Sequence, residues 1–138
     1  MPFDPTANAG QAGDLGTAAA CLDEYVCRLN SHRWEEVEPF VDDDASFIFT
    51  EGTYRRKEAI AEACRRTFAT ITDDRYEIAN KTWSFTGPDW ASGAYTFTWQ
   101  GRVNGAPASG GGRGTSVVRR TASGWKIVHE HLGPHAKA

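Results

Sequence analysis

Apolar residues recur at intervals of three and four early in the chain and at intervals of two later. Leu15, Leu22, Tyr25, Val26 and Leu29 form one stripe and predict an amphipathic helix. Asn30-Ser31 interrupts it. A short second helix follows, with Trp34, Val37 and Val41 on one side and Pro39 late enough to tighten it. Asp42-Asp43-Asp44 breaks that pattern, as a turn and cap before a strand. ASFIFTEG alternates and predicts the first strand, ending at Gly52; TYRR is a short return strand or turn. KEAIAEACRRTFATI predicts a third helix with Ile60, Ala63, Cys64, Thr67, Phe68 and Ile71 inward and Glu58, Glu62, Arg65 and Arg66 in solvent.

Beyond residue 72 the period stays at two. DRYEIANKTWSFT ends at the turn Gly87-Pro88-Asp89, and WASGAYTFTWQGRV ends at Asn104-Gly105, a strong hairpin signal. GGRGTSVVRRT returns and WKIVHEHL closes the series. Gly110 to Gly112 read as a flexible lead-in or a bulge. No strand-turn-helix context makes them a phosphate loop. Helices followed by long antiparallel strands define an α+β chain. The expected shape is a cone-shaped barrel: three N-terminal helices on a strongly curved antiparallel sheet, with a hollow under the first helix. Residues 1–14 read as a mobile arm, 15–133 as one domain and 134–138 as a tail.

Composition narrows the function classes. The 138 residues suffice for one domain, and 40% hydrophobic content allows a real core. A net charge of −3 without a basic stripe argues against nucleic acid. No apolar run approaches the roughly 18–20 residues of a membrane span, and no signal-peptide pattern is seen. Cys21, Cys27 and Cys64 form no CxxC pair; an odd count on helices suggests reduced thiols and a cytoplasmic protein.

Several residues could carry chemistry. Strict alternation on the last strand puts Trp125, Ile127, His129 and His131 on one face and Lys126, Val128, Glu130 and Leu132 on the other. If the histidine face is concave, an imidazole there serves as acid or base near neutral pH; otherwise it bonds across strands or lines a dimer face. His-x-His with His32 or Glu51 would be the start of a metal site, but nothing in the spacing brings a third ligand near, and no metal is assigned. Glu51 shares a face with Phe47 and Phe49; it is either a buried base or a rim carboxylate paired with Arg55 or Arg56. Tyr95, Phe97 and Trp99 alternate as core or as pocket wall, and Tyr54 and Trp34 cap the mouth or pack on the surface. Arg113, Arg119 and Arg120 point to solvent or, turned inward, clamp a carboxylate.

EYVCRLNSHRWEEVEPFVDDDASF resembles the opening of SnoaL-like and ketosteroid-isomerase-like proteins of the nuclear transport factor 2-like superfamily. EGTYRRKEAI resembles that family's G-x-x-x-G-K-E-A-I step, with Arg56 where glycine is usual. YTFTWQGR and TSVVRR…GWKIVHEHL are similar to its last strands, the latter also to the calcium/calmodulin-dependent kinase association domain. The resemblance spans residues 15 to 133 and implies the cone fold. It also implies that Tyr25 occupies the position of the tyrosine that donates to the dienolate oxygen in steroid isomerases. Phe49 falls on the catalytic aspartate position, and a phenyl ring cannot take a proton. Thr115 and Ser116 fall near the second donor, where no carboxylic acid stands. Steroid isomerisation by the usual mechanism is therefore not expected.

The expected function is binding of a small, largely apolar ligand. Acid/base chemistry of the isomerase, cyclase, dehydratase or epoxide-opening kind would need no organic cofactor. Tyr25, His129, His131 and Glu51 would be catalytic, and Trp34, Phe47, Phe49, Tyr54, Tyr95, Phe97, Trp99 and Ser116 would contact substrate. The alternative is a non-catalytic ligand-binding or association domain. A homodimer is expected through the sheet's outer face, by Lys126, Val128 and Leu132.

Overall fold

The computed structural model describes residues 17–137. The arm assigned to residues 1–14, and Leu15 of the first apolar stripe, lie outside them. Helix α1 (Ala18–Leu29) starts where Thr17 accepts a hydrogen bond from the Ala20 amide at 3.0 Å, an N-cap. It buries Cys21, Leu22 and Tyr25. Helix α2 is one turn, Trp34–Val37, and Pro39 lies in the 3₁₀ turn Glu38–Phe40 that follows.

Strand β1 (Val41–Phe49) begins earlier than the sequence predicts. Val41 is its first residue rather than part of a helix, and Asp42–Asp44 lie within an irregular stretch of it. The Asp42 side chain still accepts from the Asp44 amide at 3.1 Å, the local bond expected of a turn. Strand β2 (Gly52–Arg55) returns antiparallel. Arg56, where glycine is usual in the resembling proteins, adopts φ +74°, which explains that preference. It opens α3 (Arg56–Thr70).

Strands β3 (Thr72–Thr86), β4 (Trp90–Val103), β5 (Ala106–Thr121) and β6 (Gly124–Gly133) complete a six-stranded sheet of order β2-β1-β6-β5-β4-β3. Asn104 and Gly105 join β4 to β5 with φ of +52° and +81°, as a two-residue hairpin of the primed type requires. The sheet is mixed rather than purely antiparallel, because β1 runs parallel to β6. The chain reaches β6 only after β2, α3 and three further strands, so β1 and β6 meet as ends of a long excursion. The cone is not closed: β2 and β3 are its edges. Its core is Leu22, Tyr25, Trp34, Val37, Phe40, Val41, Phe47, Ile60, Val118, Trp125 and Ile127, shared by the helices and the concave face.

Gly110, Gly112 and Gly114 belong to a regular stretch of β5, with unbroken register to β4; they are neither a lead-in nor a bulge. They face Trp99, Phe97 and Tyr95 directly across the pair. A Cβ on Gly114 would sit 2.4 Å from the Tyr95 ring, and one on Gly110 2.6 Å from Trp99 Nε1. The glycines are where these rings lie down on the neighbouring strand.

Candidate active site

The last strand does not alternate evenly. Val118 pairs with Ile127 and Val117 pairs with His129, so Val128 has no partner on β5. On the other side β1 also slips, between Val41 and Ser46. This β-bulge inverts the facing of everything beyond it. Trp125 and Ile127 point into the cone before it; Glu130 and Leu132 point in after it. His129 and His131 therefore face outward, which corrects the even alternation drawn from the sequence. The His129 ring is half-buried, with Nδ1 3.0 Å from Ser46 Oγ on β1, and His131 is exposed.

Glu130 is 2% exposed. Tyr25 of α1 donates to its Oε2 at 3.2 Å, and Tyr95 of β4 donates to its Oε1 at 3.4 Å. Ser116 Oγ lies 2.7 Å from the Tyr95 hydroxyl, giving a chain from Ser116 through Tyr95 to Glu130. Burial pushes the Glu130 carboxyl up, the two tyrosine hydrogen bonds pull it partly back, and the balance stands at about 7. Burial first, and then the charge of Glu130, holds the Tyr25 phenol well above its ordinary value.

Tyr25 and Glu130 form one end of a cavity of about 460 Å³. Its walls include Leu29, Phe49, Phe68, Ile71, Tyr76, Phe97, Trp99 and Leu132, with Asp74 and Glu51 among the lining residues. Tyr76 stacks on Phe97, centroids 5.9 Å apart. The volume and the apolar walls with few polar groups are those of a small-molecule site.

Of the residues expected to form a site, Tyr25, Glu51, Phe49, Phe97 and Trp99 come together around this cavity. Tyr95 and Ser116 stand behind Glu130 as hydrogen-bond partners. Phe47 is fully buried and meets Tyr25 edge-on at 6.5 Å, so it is core rather than wall. Trp34 is also core and caps no mouth. Tyr54 packs against Phe49 at 5.8 Å with Arg66 over its ring, outside the lining. Glu51 is exposed at the rim, and Arg56, one of the partners expected for it, lies against Asp44 and Glu58. None of the arginines of β5 lines the cavity: Arg119 pairs with Asp42 and Arg120 with Asp89, both at 2.8 Å, while Arg113 donates to the Pro134 carbonyl. No group of three or more metal-ligating side chains gathers among the described residues.

Glu130 is the residue that reading by strict alternation missed. Ile127 and Leu132 are five apart, an odd interval that cannot put both inward on an even strand, and that interval is the available signal. Asp74 was missed for a similar reason. The register of β3 slips between Thr72 and Arg75, Asp73 takes φ +53°, and the irregularity brings Asp74 to the cavity.

An open, conical mixed sheet wrapped on three helices is the fold of the nuclear transport factor 2-like superfamily. The chain belongs to the SnoaL-like domain family, whose model matches residues 18–136. A nuclear transport factor 2-like superfamily protein from Salmonella enterica is similar in structure with a TM-score of 0.81 at 20% identity, covering 97% of this chain and 94% of that one. A putative calcium/calmodulin-dependent protein kinase II association domain from Xanthomonas campestris gives 0.72 at 18%, covering 86% of each. A ketosteroid isomerase-like protein from Erwinia carotovora gives 0.70 at 21%, covering 86% and 93%. No curated protein matches the chain.

Proposed function

We propose that the chain binds a small, largely apolar molecule in this cavity and moves a proton on it, with Glu130 as the acid/base group and no organic cofactor. One observation carries the reading: a carboxyl poised at about 7 stands buried at one end of an aromatic-walled hollow. A group so poised exchanges protons readily near neutral pH. Ionised, Glu130 abstracts a proton from the ligand. Tyr25 then donates to the oxygen on which negative charge develops, while Tyr95 and Ser116 steady the carboxylate. The role foreseen for Phe49's position on β1, and for His129 and His131, passes to the other side of the last strand. Enolisation, and the isomerisations, cyclisations and dehydrations that begin with it, fit this geometry.

The test is exchange of the α-protons of flat cyclic ketones in D₂O, followed by ¹H NMR. The native protein should catalyse wash-out with at least one member of such a panel, and Glu130→Gln should lower that rate at least about 100-fold. Bound ketones that never exchange, or an unaffected variant, would overturn the proposal.

A second reading is an association domain without turnover, supported by the likeness to the kinase association domain. For either reading we propose a homodimer through the sheet's outer face. The bulge moves Leu132 off that face and puts His129 and His131 there beside Ile48 and Val117. Sedimentation of His131→Glu would show a monomer if that face is used and no change if it is not. Cys21 and Cys64 are buried free thiols, which suits the proposed cytoplasmic setting.

A further inference from the structure

The cavity's charge is one-sided. Three carboxylic acids, Glu51, Asp74 and Glu130, are among its lining residues, and no lysine, arginine or histidine is. Glu130 is bonded by two tyrosines, but Asp74 is not so provided for. Its Oδ1 is sealed from water with no hydrogen-bond partner among the described residues. The nearby His32 ring spends its Nε2 hydrogen on the Asp74 backbone carbonyl at 2.8 Å. The Asp74 side chain as a whole is half-buried and lines the cavity. An unpaired carboxylate oxygen is costly, and a cation placed beside the accessible part of that side chain would offset the cost. The rings of Phe49, Phe68, Tyr76, Phe97 and Trp99 stand around the same space, and aromatic faces attract cations.

We propose that the ligand of this cavity is an organic cation: a flat or apolar body bearing a protonated amine, seated among the rings with its charge met by Asp74. This rests on the cavity being the ligand site and adds the ligand's charge. The same arrangement excludes anions. A carboxylate would enter a site that already holds three acids and offers no cation to compensate. Asp74 is then a specificity residue, set at the cavity by the slip in β3 and distinct from the proton-transfer group on β6.

Three naphthalenes of matched shape provide the test: 2-naphthylmethylamine, 2-naphthylmethanol and 2-naphthoate, titrated calorimetrically into the full chain near neutral pH. The amine should bind at least about tenfold more tightly than the alcohol, and the carboxylate most weakly. Asp74→Asn should bring amine and alcohol to within about threefold by weakening only the amine. Glu51→Gln, at the exposed rim, should narrow the ratio less. Circular dichroism of each variant confirms folding. The proposal is overturned if the carboxylate equals the amine, or if Asp74→Asn leaves the ratio intact while all three still bind; the cavity then remains a ligand site without charge selection. If none of the three binds, the cavity reading falls along with it.

Discussion

Trp125 and Ile127, before the bulge in β6, and Glu130 and Leu132, after it, point the same way into the cone and meet different surroundings. The first pair joins the solid core with Leu22, Trp34, Val37, Val41 and Val118, and the Trp125 carbonyl accepts from the Cys21 thiol at 3.3 Å. The second pair faces Ser116 and Gly114 across β5. The Tyr95 ring and Leu132 lie over Gly114, and Glu130 and Leu132 border the cavity on their other side. One concave face thus serves as core at one end and as site at the other. The division falls at a single unpaired residue on β6, beyond which Glu130 and Leu132 turn inward.

That contrast can be broken from either end. Ile127→Ala should cost about 2–5 kcal/mol in denaturant unfolding, because a fully buried side chain is lost from close packing. Leu132→Ala should cost less than about 2 kcal/mol, since its side chain already borders open space. Equal losses would erase the distinction between the two ends.

The buried acid makes a pH signature of opposite sign to the usual carboxylate. Below the ordinary value of 4.5, Glu130 is protonated folded and unfolded, and contributes no pH dependence. Between 4.5 and about 7 the unfolded chain releases a proton that the folded chain keeps, so stability falls as pH rises. The loss levels off above about 7, at a total on the order of 3 kcal/mol. Glu130→Gln should flatten this part of the profile and gain stability relative to the native chain at pH above about 7. A variant whose profile from pH 4.5 to 8 parallels the native one would contradict it.

Gly114→Ala sharpens the comparison at the seam. Its methyl would fall 2.4 Å from the Tyr95 ring and 2.7 Å from Leu132. The strain should cost about 1–3 kcal/mol in thermal unfolding and displace the hydroxyl that bonds Glu130. The smallest effect belongs to the outer face. His129→Ala and His131→Ala should leave proton exchange on any ligand within about twofold, and change the folding stability of the isolated chain by about 0.5 kcal/mol or less at exposed His131.

The helices, the strand succession and the Asn104-Gly105 hairpin were legible in the sequence because each is set locally, by period or by turn chemistry. The aromatic wall was legible too: Phe97 and Trp99 alternate on a regular strand, and the structure keeps them on one face. What escaped was set between strands. The parallel contact of β1 with β6 joins segments more than eighty residues apart. The bulge at Val128 depends on how β6 meets both neighbours at once, and alternation carried one residue too far exchanges Glu130 for two histidines. Asp74 is hidden behind a second irregularity of the same kind. Gly110 to Gly112 looked like a flexible lead-in or a bulge because the role of Gly110 and Gly112 is read only against the rings across the strand pair.

The central claim is that the bulge turns Glu130 into the cavity and leaves it titrating near neutrality. Carboxyl ¹³C chemical shifts of glutamate-labelled protein, with Glu130→Gln to assign the resonance, measure this directly. The account predicts one glutamate with a midpoint near 7 that moves when a ligand fills the hollow. A midpoint near the ordinary 4.5, indifferent to every ligand that binds, would contradict it.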